Sequence, residues 1–196
     1  MSKEKELKIA MDLDGVLADV MKNWIIIYNK EHKKEIKLSE IYEWDFWQKI
    51  GLDQNEFDNI FNKVWKNWYR IDETEDNISK KVEIIKELGK MDIVTGRSIE
   101  TIEYVKKWME YKKITYNRLV IVRSDAPKAH LDYDIFIDDS PIHASSVSRE
   151  GKIALLYNQP WNRKVTTKRN LIRVSDLEGV IDHIKSLKER DPESER

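Results

Sequence analysis

Residues 8–19, Lys-Ile-Ala-Met-Asp-Leu-Asp-Gly-Val-Leu-Ala-Asp, constrain the fold of this chain more than any other stretch. A short apolar run closes on an acid, an apolar residue, a second acid and a glycine. It reads as a buried strand over 8–12 with chemistry at its end. Side chains at i and i+2 of an extended segment point the same way, so Asp12 and Asp14 are expected to reach one site while Leu13 turns into packing. Gly15 lets the backbone turn sharply just afterwards. Paired carboxylates suit a hard cation such as Mg2+, which takes oxygen ligands. They equally suit a carboxylate nucleophile with an acid/base partner. A polar turn without chemistry is the plainer alternative, and the other strand ends weigh against it.

The 196 residues allow one domain, or one domain carrying an insertion. Helical spacing of Val20, Trp24, Ile27 and Tyr28 predicts a helix from Asp19, its expected N-cap, to about Lys30. Leu38 to Trp47 reads as short helical turns. Phe57, Phe61, Val64, Trp65 and Trp68 mark an amphipathic helix capped near Asp53. Another helix starts at Asn77 or Ser79 and ends at Gly89. From residue 91 the rhythm changes. Strands are expected at 91–95, 119–122, 135–137, 153–156 and 171–174. Helices are expected at 98–112, 141–148 and 176–188, the second opened by Ser140-Pro141. Alternation of this kind implies an α/β fold, a parallel sheet flanked by helices. Residues 19–76 break it, and read as a small helical cap inserted after the first strand. The expected division is a core of 1–18 and 77–190, a cap of 19–76 and a polar tail of 191–196.

Ligands of such sheets bind beyond the carboxyl ends of the strands. There the sequence offers Asp12 and Asp14, then Thr95-Gly96-Arg97, then Arg123 and Lys128, then Asp138-Asp139. Thr95 supplies a hydroxyl, Gly96 a close backbone approach, and the following helix start a positive dipole end suited to phosphate. Lys128 can offset charge on a phosphoryl oxygen and on Asp12, with Arg123 as its rival. Adjacent strand residues diverge, so Asp138 is expected to bind a metal directly and Asp139 to act through water or by holding a neighbour.

This order resembles the haloacid dehalogenase (HAD) superfamily of phosphohydrolases. The extended Asp12-Leu-Asp-Gly-Val-Leu-Ala-Asp19 stretch, the cap after it and Asp138-Asp-Ser-Pro141 look like its 5'(3')-deoxyribonucleotidase branch. The resemblance implies a Rossmann-like, HAD-like core and an Mg2+-dependent phosphomonoesterase acting on (deoxy)nucleoside monophosphates. It implies that Asp12 attacks phosphorus to form an aspartyl-phosphate, and that Asp14 protonates the leaving alcohol and then activates water. It also implies Mg2+ held by Asp12, the Asp14 main-chain carbonyl and Asp138, with Thr95, Gly96, Arg97 and Lys128 on the phosphate. A phosphatase for another small metabolite, such as a sugar phosphate, shares these motifs. So does a non-catalytic binding protein on a phosphatase scaffold.

Specificity is expected from the cap. Most of its aromatics must pack with one another, but Trp44, Phe46 and Trp47 lie in an irregular stretch; Trp44 and Trp47 are the candidates for stacking on a base, and an aromatic sugar-phosphate aglycone would satisfy the same surface. Charged residues make up 36% of the chain and nearly cancel, leaving a net charge of −1. No polymeric nucleic acid is therefore expected as a partner, and with no apolar run near the ~20 residues of a membrane span no membrane is expected either; the expected partner is a small phosphomonoester, and a homodimer is allowed. Cysteine is absent, which excludes disulfides and thiolate chemistry. The charged N-terminal stretch does not read as a signal peptide, and a cytoplasmic location is expected.

Overall fold

A computed structural model describes residues 6–123 and 126–189. The polar tail of 191–196 lies outside the described residues, as do the first five residues of the expected core.

Strand β1 (Lys8–Met11) lies inside a six-stranded sheet with β2 (Lys90–Thr95), β3 (Leu119–Ile121), β4 (Ile135–Asp138), β5 (Ile153–Tyr157) and β6 (Leu171–Val174). The order is β3-β2-β1-β4-β5-β6 and every pairing is parallel. Strand order reverses between β1 and β4, the place where such sheets open a crevice for ligand. Met11 pairs with Ile137, and the Asp12 amide donates to the Ile137 carbonyl at 2.8 Å. Asp12 and Asp138 therefore leave the sheet side by side.

Both sheet faces are covered, which explains the near-continuous apolar strands. One face buries Ile9, Met11, Met91, Ile93, Ile135 and Ile137. The other buries Ala10, Val94, Phe136, Ala154 and Leu156. The helices are α1 (Val20–His32), α2 (Phe46–Lys49), α3 (Gln54–Lys66), α4 (Ile78–Leu88), α5 (Ile102–Tyr111), α6 (Pro141–Arg149) and α7 (Leu177–Glu189). Gly89 ends α4 in extended backbone; a Cβ there would lie 2.6 Å from the Leu7 carbonyl oxygen, so the close approach requires glycine.

Residues 20–71, which hold α1 to α3, build their own aromatic packing. Trp24 stacks on Tyr28 at 5.2 Å and meets Phe46 and Phe57, and its indole donates to the Phe57 carbonyl at 3.2 Å. Asp53 and Glu56 form a reciprocal capping box that fixes the start of α3. The chain leaves the sheet and returns at one place. The Asp19 amide donates to the Asp72 carbonyl at 2.9 Å, and the Thr74 amide to the Leu17 carbonyl at 3.0 Å.

Two local expectations differ from the fold. Asp19 precedes α1 but makes no side-chain cap; its carboxylate pairs with Lys22 at 2.5 Å. The helix expected over 98–112 begins as a single 3-10 turn, Ile99–Thr101. The Thr101 hydroxyl donates to the Ser98 carbonyl at 2.8 Å, a local bond that competes with α-helical pairing.

Candidate active site

β1 stops at Met11 and the chain turns at once, so Asp12 and Asp14 do not share an extended segment. Gly15 adopts φ +79, and the Leu17 and Ala18 amides donate back to the Leu13 carbonyl. Asp12 stays at the strand end. Asp14 is carried toward α3 and the loop after β2. There its Oδ1 accepts from the Trp65 indole at 2.9 Å, and its Oδ2 lies 2.7 Å from Arg97 Nε, an ion pair without hydrogen-bond alignment.

Asp12, Asp138 and Asp139 each present an oxygen within 4.8 Å of the others. The divergence expected of Asp138 and Asp139 does not separate them, because β4 ends at Asp138 and the backbone bends at Asp139. Asp139 is held by the loop after β5, where Trp161 Nε1 donates to its Oδ2 at 3.0 Å and Asn162 Nδ2 to its carbonyl at 2.8 Å. Gln159 Nε2 also donates to the Gly15 carbonyl at 2.7 Å.

Lys128 is buried among these acids. Its Nζ donates to Asp12 Oδ1 and Asp138 Oδ2, both at 2.8 Å. Asp138 Oδ1 accepts from the Ser140 amide at 2.8 Å, and His143 Nδ1 lies 3.3 Å from Asp138 Oδ2. Arg123 instead lines a neighbouring cavity. Thr95 is fully buried at the end of β2, where its hydroxyl accepts from the Arg97 amide at 3.3 Å.

Burial and mutual repulsion set the protonation pattern. Burial, with Asp138 and Asp14 adding to it against Lys128, lifts Asp12 to about 6. Burial likewise raises Asp14, against the opposing pull of Arg97 and Trp65. Asp139 is raised well above the carboxylate range by burial and by the Asp12 and Asp138 charges. Burial would raise Asp138 too, but Lys128 and His143 more than reverse it and hold it low. Burial pulls Lys128 down, and Asp12 and Asp138 overcome that to raise it. A site with more buried acids than buried cations can accept a further cation. Three converging carboxylates are the donor set that a hard divalent ion prefers, so the residues fit Mg2+.

A cavity of about 630 Å³ opens beside Arg97, between α3 and the loops after β2 and β3. Its volume falls in the usual range for small-molecule pockets. Gly96 and Arg97 line it; Trp44 and Trp47 do not. Trp47 stacks on Phe57 at 5.3 Å, and Trp44 is half-buried against the apolar packing. Sequence reading missed the contacts of Trp65 and His143 with the acids. Trp65 shares the apolar spacing of α3 and so reads as packing. The position of His143 three residues after an N-cap serine at a strand end was the available signal.

The sequence model for "5' nucleotidase, deoxy (Pyrimidine), cytosolic type C protein" matches residues 5–188. A nucleotidase of Clostridium acetobutylicum is 22% identical over 186 residues, covering 92% of this chain and 96% of that protein. Among solved structures, a haloacid dehalogenase-like family hydrolase from Streptococcus pneumoniae superposes with a TM-score of 0.64 at 16% identity, over 91% of this chain and 98% of the other. CbbY from Rhodobacter sphaeroides, solved in complex with phosphate, gives 0.60 at 12% identity, over 88% and 95%. The six-stranded parallel sheet flanked by helices matches the HAD Rossmann-like fold. The chain belongs to the deoxy (pyrimidine) cytosolic type C 5' nucleotidase family, and is a phosphoric monoester hydrolase of the haloacid dehalogenase superfamily.

Proposed function

We propose that this chain is an Mg2+-dependent 5'-nucleotidase that dephosphorylates (deoxy)nucleoside monophosphates through an aspartyl-phosphate on Asp12. The observation that carries this reading is Lys128 Nζ at 2.8 Å from both Asp12 and Asp138, with oxygens of Asp12, Asp138 and Asp139 lying within 4.8 Å of one another. Lys128 holds Asp12 Oδ1, and Oδ2 is the oxygen proposed to attack phosphorus. Residues 19–76 act as a cap over the core of 1–18 and 77–190. The lack of cysteine is consistent with a cytoplasmic enzyme.

Asp12 attacks phosphorus, an Asp12 O–P bond forms, and the bond from phosphorus to the nucleoside oxygen breaks. Asp14 gives its proton to that leaving oxygen. Burial raises its proton affinity, which keeps the acid form available, and Trp65 and Arg97 fix its direction. Water then attacks the aspartyl-phosphate, passes a proton to Asp14 and releases inorganic phosphate with Asp12 restored. Thr95, the Gly96 backbone, Arg97 and Lys128 stabilise the transferring oxygens. Mg2+, held by Asp12, Asp138 and the Asp14 main-chain carbonyl with Asp139 beside them, would offset the charge between an anionic nucleophile and an anionic phosphate.

The test is phosphate release from 5'- and 3'-nucleoside monophosphates, ribo and deoxy, and from sugar phosphates, with Mg2+ and with EDTA. Mg2+-dependent turnover favouring 5'-nucleotides is expected. A preference for sugar phosphates would overturn the nucleotidase assignment while keeping the phosphatase.

A further inference from the structure

Lys128 stands on a short support. The turn Lys128–His130 is three residues long, with no side-chain cap at its start. The Leu131 amide donates to the Lys128 carbonyl at 2.9 Å, and the His130 amide to the Pro127 carbonyl at 3.4 Å. A single turn of this kind has poorer hydrogen-bond geometry than an α-helix and holds a side chain less firmly. A second lysine grips it. Lys152 Nζ donates to the Ala129 carbonyl at 2.7 Å and to the Leu131 carbonyl at 2.5 Å. The same Nζ lies 5.5 Å from the ring centre of Phe136, two residues before Asp138 on β4. Lys152 is itself tied down on both sides. Gly151, at φ +77, turns the chain out of α6, and the Lys152 amide donates to the Val147 carbonyl at 3.2 Å. Ile153 then opens β5 in register with Ile135 of β4.

Resting on the nucleotidase reading, we infer that Lys152 is a positioning residue for the reaction: it holds the turn that aims Lys128 at Asp12 and Asp138. A lysine at a protein surface usually lays its stem on apolar neighbours and gives its charge to water. This one gives it to two main-chain carbonyls within three residues of Lys128. Bonds from a charged donor are stronger than neutral ones, so the two together stiffen the turn. Ala129 is buried, and Lys152 satisfies its carbonyl where water is excluded. The contact with Phe136 refers the turn to the strand that carries Asp138. Lys128 Nζ must meet Asp12 Oδ1 and Asp138 Oδ2 at once, which a displaced turn cannot allow. A misplacement of about 1 Å at a reacting group costs up to about a hundredfold in rate.

The experiment is a double-mutant cycle. It measures kcat for phosphate release from a deoxynucleoside 5'-monophosphate with Mg2+ in the unaltered chain, Lys152→Met, Lys128→Met and the double variant, with Lys152→Arg alongside. Lys152→Met keeps an apolar chain of similar length and removes the donor. It should lower kcat about tenfold when Lys128 is present, and less than about twofold when Lys128 is already methionine, because the two side chains act as one unit. Lys152→Arg, which keeps charge and donors, should recover most of the loss. Amide hydrogen exchange over residues 127–133 should quicken in Lys152→Met, with the Leu131 amide among those affected. No fall in kcat, an equal fall in both backgrounds, or unchanged exchange overturns the positioning role and leaves the nucleotidase reading standing. Should Lys152→Met fail to fold by circular dichroism, Lys152→Gln takes its place in the cycle under the same criteria. No phosphate release from any nucleotide by the unaltered chain overturns the nucleotidase reading, and hydrogen exchange then decides alone whether Lys152 holds the turn.

Discussion

Lys128 Nζ donates to Asp12 Oδ1 at 2.8 Å across 116 positions of the chain. The contact depends on topology. Asp12 ends β1, Asp138 ends the adjacent β4, and Lys128 lies in the short turn Lys128–His130 that leads into β4. A charge held there offsets two buried acids at once.

Lys128→Met should therefore lower kcat by about 10²–10³-fold, the usual loss when a transition-state charge partner is removed. It also leaves buried acids uncompensated, so the thermal midpoint should fall. Added Mg2+ should raise that midpoint more in the variant than in the unaltered chain, because the ion replaces the missing charge. A thermal scan with and without Mg2+ reads this directly.

Arg97 touches three features at once. It pairs with Asp14, its guanidinium lies 4.4 Å from the Phe61 ring centre, and it lines the cavity. Arg97→Ala frees the Asp14 carboxylate to rotate. The expected result is a drop in kcat of about tenfold or more and a rise in KM, since the side chain proposed to bind phosphate also orients the acid. Arg97→Lys should recover only part, because a lysine cannot reproduce the planar fork. Steady-state kinetics on both variants separate the two effects.

Gly15 faces Asp139 closely. A Cβ there would lie 2.1 Å from Asp139 Oδ2, in a backbone of φ +79 that L side chains rarely adopt. Gly15→Ala should cost about 1–3 kcal/mol of stability and displace Asp139 from the acid cluster. Urea denaturation measures the first. A weaker Mg2+ dependence of turnover, with a higher half-saturating concentration, measures the second.

Much of this site was legible from residue order. Strand, helix and turn patterns located β1, β2, β4 and β5 within a residue or two, and the resemblance joined the acids that the fold brings together. What sequence alone misplaced were directions. Asp14 reads as lying on one extended strand with Asp12; the turn after Met11 breaks that strand and, while Asp14 stays close enough to act on Asp12 electrostatically, sets its carboxylate against Trp65 and Arg97. Asp139 reads as divergent from Asp138, and the end of β4 removes the pleat that would separate them. The polar row Gln54, Asp58 and Asn62 is the solvent side of an amphipathic helix until the loops after β2 and β3 are set against it. Each of these depends on non-local packing, which local periodicity does not encode.

Asp92 gives a test independent of catalysis. It is buried in the middle of β2 and accepts from Tyr133 at 2.7 Å and from the Arg118 guanidinium at 2.6 Å. Burial alone would raise its pKa, but Arg118 and Tyr133 lower it below its ordinary value. A depressed carboxylate contributes stability above the unfolded pKa, and that contribution disappears as pH falls through the folded one. Asp92→Asn should thus cost about 1–3 kcal/mol near neutral pH. The gap from the unaltered chain should narrow below about pH 4, where the unfolded carboxyl takes up its proton. Urea midpoints from pH 3 to 8 follow both, on the acid range set by the carboxylate pKa. A gap that widens toward acid contradicts the assignment.

In the proposed reaction Asp12 carries the phosphoryl group. The most direct measurement is release of inorganic phosphate from a deoxynucleoside 5'-monophosphate by the unaltered chain and by Asp12→Asn, each with Mg2+ and with EDTA, alongside a circular dichroism spectrum of both. Mg2+-dependent release by the unaltered chain alone is expected, with both proteins folded. Comparable release by a folded Asp12→Asn protein would contradict it.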